Sequence, residues 1–276
     1  KINGSYVVGF DGANHRIIRD GVVVYEDDRI IHVGKIYNEP VDETIEAPGC
    51  LISPGFVNIH ALTSLCITHF RVDGFSDGGQ SPDRETMLKG VREPQAYYQD
   101  ADLEVSARFS FAELIKGGAT TICEITSFGT SGFLPPRRQA ELFVDVAGET
   151  GARAYISHHH TDMRPYTDDD GSARWYTDEG AGMKGLAEAL DFCKEYEGAH
   201  GDRVRTMLFP YKFDACSEGL LRETKRAALE RDLPVHIHAA QYLPEYYESL
   251  RRYGKTPIHF LHDIGFMGPK TIITHA

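Results

Sequence analysis

The sequence predicts an α/β protein whose main part is a (β/α)8 TIM-like barrel, truncated after strand 6. Three observations predict this fold class. Strand-like runs alternate with amphipathic helical stretches after residue 50, the first fifty residues contain strand-like runs only, and histidines end three of the later strands. Strands that alternate with helices form parallel βαβ units. Ala276 follows the sixth predicted strand.

The first fifty residues predict a small antiparallel β unit. Three short β-branched runs lie at Ser5 to Val8, Gly21 to Tyr25 and Arg29 to Val33. The tripeptide Glu26-Asp27-Asp28 separates the last two runs and is typical of a hairpin turn. We therefore place a first domain at residues 1–50 and the barrel at residues 51–276.

The barrel prediction depends on where its strands and helices lie. The predicted strands are Leu51 to Asn58, Thr120 to Ile125, Ala152 to Ser157, Val204 to Phe209, Val235 to His238 and Thr271 to Thr274. The predicted helices are Leu103 to Lys116, Arg138 to Thr150, Met183 to Tyr196, Glu218 to Arg231 and Pro244 to Tyr253. The Gly- and Asp-rich stretch from Asp73 to Glu93 is predicted to be a loop over an active site.

Three histidines carry the strongest chemical signal. His60, His238 and His275 end the first, fifth and sixth predicted strands. Neutral imidazole nitrogens bind divalent metal ions, and strands hold such ligands rigidly. An open doubly wound sheet is the alternative fold, but its ligands gather at one switch point, whereas side chains from distant strands meet more easily in a closed ring. The sequence therefore predicts a metal-dependent hydrolase barrel.

Composition limits the partners. The net charge of −12 argues against nucleic acid, whose phosphates need clustered Lys and Arg. No apolar run reaches the ~18 residues that span a bilayer, and no signal peptide is apparent. The five cysteines form no CxxC pair, which favours reduced thiols and a cytoplasmic location. We expect a small neutral or cationic substrate, no membrane partner, and a homo-oligomer.

Several motifs together resemble one family. They are DGVVVYEDDRIIHVG, APGCLISPGFVNIH, FAELIKGGATTICE, LPVHIHAAQ and IITHA. In this order they are similar to the metal-dependent amidohydrolase superfamily, in its cytosine deaminase and chlorohydrolase-like branch. The resemblance implies a β-sandwich part in residues 1–50, metal ligation by His238 and His275, and a ligand Asp on an eighth strand beyond Ala276. It also implies one divalent transition metal, which we expect to be zinc, with iron and cobalt as alternatives.

Two positions depart from the family pattern. The first strand usually ends in H-x-H, because side chains two apart on a strand point the same way; here Asn58-Ile59-His60 offers N-x-H. We assign Asn58 to the metal site beside His60; the alternative is a strand-end asparagine that holds a loop. The branch places a glutamate that shuttles protons where Gln241 stands, and an amide does not carry protons in this way. Gln241 and the strand-end carboxylate Glu124 are the candidate catalytic residues.

The N-x-H variant resembles the phenylurea and thiocarbamate hydrolases of the superfamily. This resemblance implies hydrolysis of an amide, urea or carbamate-like C–N bond by a water that a bound metal activates. Two alternatives stay open. One is hydrolytic deamination or dechlorination of a heteroaromatic ring, and the other is a non-catalytic scaffold whose site has decayed.

Further polar residues follow the third and fourth strands. His158 and His160, Arg164 and Tyr211 are candidate substrate-binding residues. Neighbours on a strand point to opposite faces, so at most one of the three consecutive histidines 158–160 is expected to face the pocket. Some of the candidates have a structural alternative. Arg164 could lie in a solvated loop, and Glu124 could form an ion pair. His236 is interpreted as a hydrogen-bonded interior histidine. Lys212 is interpreted as a surface charge rather than a carboxylated metal bridge, and Cys66 and Cys216 as small buried groups.

Overall fold

The fold was analysed in a computed structural model that describes residues 1–64, 81–93, 98–126 and 134–276. The chain forms two compact units, Lys1–Phe56 and Val57–Ala276. The division lies at residues 56 and 57, a few residues beyond the boundary that the sequence predicts.

The first unit is a four-stranded sheet. Its strands are β1 (Ile2–Phe10), β2 (His15–Glu26), β3 (Arg29–Gly34) and β4 (Ile45–Ile52), in the order β3-β2-β1-β4. The predicted antiparallel pairing holds for β1, β2 and β3, and the turn between β2 and β3 lies at Asp27 and Asp28. Asp27 has a φ of 51°, a left-handed conformation that Asp tolerates better than most residues. Strand β4 pairs with β1 in parallel.

The prediction of one strand over Leu51 to Asn58 is wrong. Leu51 and Ile52 belong to β4, where they pair with Tyr6 and Val7 of the first unit. The next strand, β5, starts only at Phe56. The intervening Ser-Pro-Gly sequence explains the break, since Pro54 has no backbone N–H to donate to a strand ladder.

The second unit contains a six-stranded sheet and a helical layer. Its strands are β5 (Phe56–Ala61), β6 (Ala119–Ile125), β7 (Arg153–His159), β8 (Met163–Thr167), β9 (Ala173–Thr177), β10 (Val204–Phe209), β11 (Val235–His238) and β12 (Thr271–Thr274). Its helices are α1 (Arg84–Arg92), α2 (Asp100–Lys116), α3 (Pro136–Thr150), α4 (Glu179–Tyr196), the short α5 (Ala199–Asp202), α6 (Glu218–Arg231), α7 (Leu243–Tyr253) and α8 (Pro257–Asp263). The large sheet has the order β12-β11-β10-β7-β6-β5 and parallel pairing.

The large sheet is curled into a nearly closed barrel. In a flat sheet with strands ~4.8 Å apart, the outermost strands β5 and β12 would lie about 24 Å from each other. Instead, the ring centroid of His60 on β5 lies 5.5 Å from that of His275, which follows β12. The predicted barrel class is therefore confirmed, and its C-terminal strand ends meet at one mouth.

Two cores lie on opposite faces of this sheet. On the helix side, Ile122, Ala154 and Ile156 pack with residues of α2, α3 and α4. On the interior side, Cys123 and Ile125 of β6 pack with residues of β10, β7 and β12, and no residue of a described helix belongs to this cluster. Since alternate residues of a strand face opposite ways, these two cores tell which strand-end side chains point into the barrel.

Two predictions of loops are wrong. The acidic segment after the third strand forms the hairpin β8–β9, paired from Met163↔Thr177 to Thr167↔Ala173. Helix α1 lies inside the predicted loop Asp73 to Glu93; the Asp83 side chain caps it by accepting from the Thr86 N–H at 2.9 Å. Residues 73–80 of that stretch, and Cys66, lie outside the described residues. None of the helices described here is long and apolar enough to cross a membrane.

Candidate metal centre

Three imidazoles meet at the mouth of the barrel. The ring centroid of His60 lies 5.0 Å from that of His238, and the centroid of His275 lies 5.2 Å from that of His238. One ligand atom from each ring lies within 4.8 Å of the others. Two nitrogens bound to one zinc at 2.0–2.1 Å are at most about 4.2 Å apart, so small ring rotations would close this group on one ion.

The protonation of His60 and His238 suits a metal. Burial first, and then the neighbouring cationic or imidazole groups, lower the pKa of His238 to about 3. Burial and His275 lower the pKa of His60 as well. Among the described residues, the buried atoms His60 Nδ1 and His238 Nε2 have no hydrogen-bond partner. Neutral rings with unsatisfied buried nitrogens are the donor set that a divalent transition metal requires.

Asn58 lies beside the group on the same face of β5 as His60. Its Oδ1 accepts a hydrogen bond from the His60 backbone N–H at 2.9 Å. This bond fixes the local strand end and leaves a second lone pair on the amide oxygen. The ligand role that we predict for Asn58 stays a prediction.

His236 is a second interior histidine of β11, one layer deeper than His238. It is fully buried, and its Nε2 forms a hydrogen bond with Thr274 Oγ1. Its ring centroid lies 5.4 Å from that of His60. The structure agrees with the interpretation of His236 as a hydrogen-bonded interior residue that packs beneath the group.

Two aromatic residues at the end of β10 pack against the ring of His238. The ring centroids of Phe209 and Tyr211 lie 5.3 and 5.9 Å from that of His238. The backbone N–H of His238 also donates to the backbone carbonyl of Tyr211 at 3.1 Å. Burial raises the pKa of Tyr211 to about 12, so its hydroxyl stays protonated at neutral pH. The structure thus brings Tyr211, predicted to contact substrate, next to the group.

Lys212 and its neighbours form a charged cluster at the rim. Lys212 Nζ lies 3.2 Å from Asp214 Oδ1 and donates to the Tyr242 hydroxyl at 2.9 Å, and the same hydroxyl donates to Asp214 Oδ2. The Asp214 side chain is 1% exposed and that of Lys212 17%. Lys212 is therefore largely buried in an ion pair, which corrects its interpretation as a surface charge.

Gln241 lies on the turn that follows β11. The residue is exposed, and its backbone N–H donates to Glu245 Oε2 at 3.1 Å, while the Ala240 N–H donates to Oε1 at 2.8 Å. Glu245 is fully buried in the first turn of α7. Its two hydrogen bonds hold Ala240 at a φ of 60°, which costs energy for a residue other than glycine. The sequence gives no signal for this role of Glu245.

The three consecutive histidines point in two directions. His158 follows Ala154 and Ile156 on the helix-facing side of β7, and His160 Nε2 bonds to Thr224 Oγ1 of α6 at 2.9 Å. His159 faces the interior, with its ring centroid 5.8 Å from that of Tyr211. The structure therefore does not bring His158 and His160 to the site; it brings His159. The predicted strand ended at Ser157, and extending it by two residues would have identified His159.

Arg164 lies on β8, in the hairpin that the sequence did not predict. Burial lowers the pKa of its guanidinium. Burial first, then His158, His160 and Arg164, lower the pKa of His159. Arg164 is half-buried, so a solvated loop is not its environment.

Glu124 is buried, but on the wrong face for catalysis at the mouth. It lies on the same face of β6 as Ile122, which packs against the helices. Its Oε1 accepts from the Thr63 N–H at 3.0 Å, and the Thr63 carbonyl accepts from Ser106 of α2. The structure therefore does not bring Glu124 to the three histidines, because alternation along β6 directs it outward.

The burial of Glu124 predicts a specific pH dependence of stability. Burial raises its pKa from 4.5 to about 8, so between these values the folded state keeps a proton that the unfolded state has lost. The free energy of unfolding should fall as pH rises through this window. We expect the melting temperature of the wild type to fall from pH 5 to pH 8 more steeply than that of Glu124→Gln, which keeps an acceptor for Thr63. Parallel curves would contradict this assignment.

The comparison with known proteins identifies the family of the chain. A profile of the Amidohydrolase family matches residues 51–276. The chain belongs to the amidohydrolase family.

Curated relatives of this amidohydrolase are deaminases. The chain is 30% identical over 275 residues to a 5-methylthioadenosine/S-adenosylhomocysteine deaminase of Thermococcus onnurineus, covering 100% of this chain and 57% of that protein. It is 28% identical to a 5′-deoxyadenosine deaminase of Methanosarcina mazei, covering 100% and 56%. The chain thus spans about half the length of the curated relatives it matches.

Solved structures share the fold. One is an atrazine chlorohydrolase of Arthrobacter aurescens complexed with zinc, with a TM-score of 0.71, 20% identity, and coverage of 100% of this chain and 60% of that one. Another is an adenosine deaminase of Xanthomonas campestris with bound zinc, with a TM-score of 0.64, 18% identity, and coverage of 99% and 56%. At these identities the likeness establishes the fold.

Proposed function

We propose that the complete protein is a metal-dependent hydrolase that cleaves a C–N bond of a small neutral or cationic molecule, of the amide, urea or carbamate type. One observation carries the proposal: His60, His238 and His275 come from three distant strand ends, yet their ligand atoms lie within 4.8 Å of one another. Convergent imidazoles at the C-terminal face of a barrel are typical of a catalytic metal site.

The residues around the group have separate roles in this proposal. His60, His238 and His275 would hold the metal, with Asn58 beside them. A bound divalent ion supplies Lewis acidity, which lowers the pKa of a water to about 7 and polarises a carbonyl. Phe209 and Tyr211 pack against His238, fix the orientation of its ring and exclude solvent from one side of it.

Gln241 bears on the type of substrate. A carboxylate at this position would shuttle protons to a leaving amine, but an amide donates and accepts hydrogen bonds without titrating. Gln241 is therefore proposed to orient the substrate. The family resemblance places the general base, and then the acid, on an Asp of a later strand.

A second candidate is the hydrolytic deamination or dechlorination of a heteroaromatic ring. The relatives favour it, since they are adenosine-type deaminases and an atrazine chlorohydrolase. The electrophilic carbon would differ from that of a urea, while the metal ligands would be the same. Product analysis separates the two candidates.

The test uses the complete protein, loaded with zinc and then depleted with a chelator. We offer it a phenylurea, a thiocarbamate, 5′-deoxyadenosine and atrazine. We expect hydrolysis that falls to below about a hundredth after metal removal and returns with zinc. An amine product supports the first candidate, whereas ammonia or chloride supports the second. Full activity without metal would refute both, and less than about a tenth of an equivalent of bound metal would support a scaffold.

A further inference from the structure

Helix α7 is inverted relative to an ordinary surface helix. Its buried residues are polar, namely Glu245, Glu248 and Ser249. Its solvent side carries a row of apolar and aromatic side chains at helical spacing, which is termed the α7 stripe. The stripe consists of Leu243, Tyr246, Tyr247 and Leu250, which are exposed by 68, 39, 63 and 38%. A surface helix normally turns such a row toward the core.

The polar side of α7 fixes this orientation. The carboxylate of Glu245 accepts from the backbone N–H groups of Ala240 and Gln241, at 2.8 and 3.1 Å. The carboxylate of Glu248 accepts from the guanidinium of Arg252, whose side chain is only 9% exposed. Turning the helix over would break these bonds and leave buried charges without partners. The stripe therefore faces outward because the inward side is already satisfied.

The exposed area of the stripe is that of an interface core. A whole aromatic side chain presents ~150–250 Å², so the exposed fractions of the four residues amount to roughly 400 Å². Apolar patches of this size on soluble proteins are often functional. One side of a standard protein interface covers about 800 Å², with an apolar core and a polar rim. The stripe would supply about half of one such side, and tyrosine is among the residues that contribute most to binding.

Charge favours a second copy of the chain as the partner. The net charge of −12 makes two copies repel each other over most of their surfaces. The stripe itself contains no carboxylate, since both glutamates of α7 are buried on the opposite side. Arg251, next to the end of the stripe, pairs with Glu248. Two acidic copies can therefore meet at this helix without opposing like charges.

The order of the residues also suits a second copy. The stripe reads Leu-x-x-Tyr-Tyr-x-x-Leu, which is the same from either end. In a two-fold interface the same patch of both copies meets itself, so the patch must be self-complementary. With a two-fold axis perpendicular to α7 and between Tyr246 and Tyr247, Leu243 would lie opposite the partner's Leu250. The tyrosines of both copies would then pack around the axis.

We propose that the α7 stripe is the core of a two-fold interface between two copies of this chain, in which their α7 helices pack antiparallel. The interface involves the helix that follows β11 and holds the turn at Gln241 through Glu245. This inference goes beyond the proposed function and does not depend on it, because association is measured without substrate or metal.

Sedimentation of the complete protein over a range of concentrations tests the proposal. We expect a dimer, and we expect Leu243→Glu and Tyr247→Glu each to weaken its dissociation constant at least about 100-fold, since each change puts two carboxylates into the interface core. A negative charge in the first turn favours a helix, so Leu243→Glu should leave α7 formed and the melting temperature of the monomer unchanged. The matched control is Leu229→Glu on α6, where a leucine 70% exposed should be replaceable without effect on the dimer.

Chemical crosslinking locates the interface. Tyr247→Cys lies beside the proposed axis, so a bis-maleimide with a spacer of about 10 Å should join two copies of this variant, because packed helix axes lie ~8–10 Å apart. Leu229→Cys and the wild type measure the background from other thiols. A dimer that survives both glutamate variants, or Tyr247→Cys crosslinking no better than Leu229→Cys, would overturn the proposal. A monomeric wild type would also overturn it, and protection of α7 from hydrogen exchange in that monomer would assign the stripe to another segment of the same chain.

Discussion

Replacing His238 with alanine is expected to abolish both metal binding and hydrolysis. The change removes the proposed ligand at the centre of the three-histidine group, the His238 ring, which lies within 5.2 Å of both other rings. We expect bound zinc in the complete protein to fall from about one equivalent to less than about a tenth. The value of kcat/KM should fall at least about a thousandfold, more than the ~10–100-fold cost of changing groups around the ligands. Metal analysis and steady-state kinetics measure the two effects.

The matched control is His262→Ala. His262 is an exposed histidine of α8, with 76% of its side chain accessible. The same substitution there should leave zinc content and rate unchanged. If His238→Ala retained a full equivalent of zinc and its activity, the assignment of the metal centre would be wrong, whatever the substrate.

Replacing Phe209 with alanine is expected to have the second large effect, because this side chain serves both the core and the site. Phe209 is fully buried in the barrel interior, with its ring 5.3 Å from that of His238 and 5.5 Å from that of His236. Loss of the ring should lower the free energy of unfolding by about 3–5 kcal/mol. The cavity would also free the His238 ring to rotate, so zinc affinity should fall about tenfold or more.

Phe143→Ala separates the two consequences. Phe143 is also fully buried, but it packs on the helix side, in the core between α3 and the sheet. We expect a similar loss of stability, about 3–5 kcal/mol by denaturant titration, with zinc affinity unchanged. Equal zinc affinities in the two variants would show that Phe209 contributes packing alone.

At both departures from the family pattern, hydrogen bonds hold the backbone that carries the unusual residue. With Asn58 where a second histidine is usual, the amide Oδ1 still fixes the strand end through the His60 N–H. With Gln241 at the shuttle position, the turn that carries it is still held by two hydrogen bonds to the buried Glu245. The backbone that presents both residues is thus specified by interactions that do not need the usual side chains.

Much of the fold was predictable because its signals are local. Strands β10, β11 and β12 match the predicted ranges, and α6 spans the predicted Glu218 to Arg231. Alternating apolar runs and amphipathic helices are properties of short segments, which the sequence displays directly. The histidines at strand ends were visible for the same reason, and their convergence followed from the rule that parallel strands end at one face.

Other features depend on residues far apart in the chain. The hairpin β8–β9 was not predicted because its acidic segment has no strand periodicity. Leu51 and Ile52 were assigned to the wrong strand because only their pairing with β1 places them in the first unit. Which way a strand-end side chain points depends on where β6 and β7 end and on which face of the sheet meets the helices. This applies to His158, His159, His160 and Glu124.

The sequence by itself determined the order of the elements, the barrel class and the three imidazoles that meet at its mouth. Only the tertiary structure decided which neighbouring side chains join them, among them Phe209, Tyr211 and His159, and which point away. The physical reason is that local periodicity is enough to predict a helix or a strand. A shift of one residue in the register of a strand, however, moves every side chain to the opposite face. Only packing against the rest of the chain sets that register.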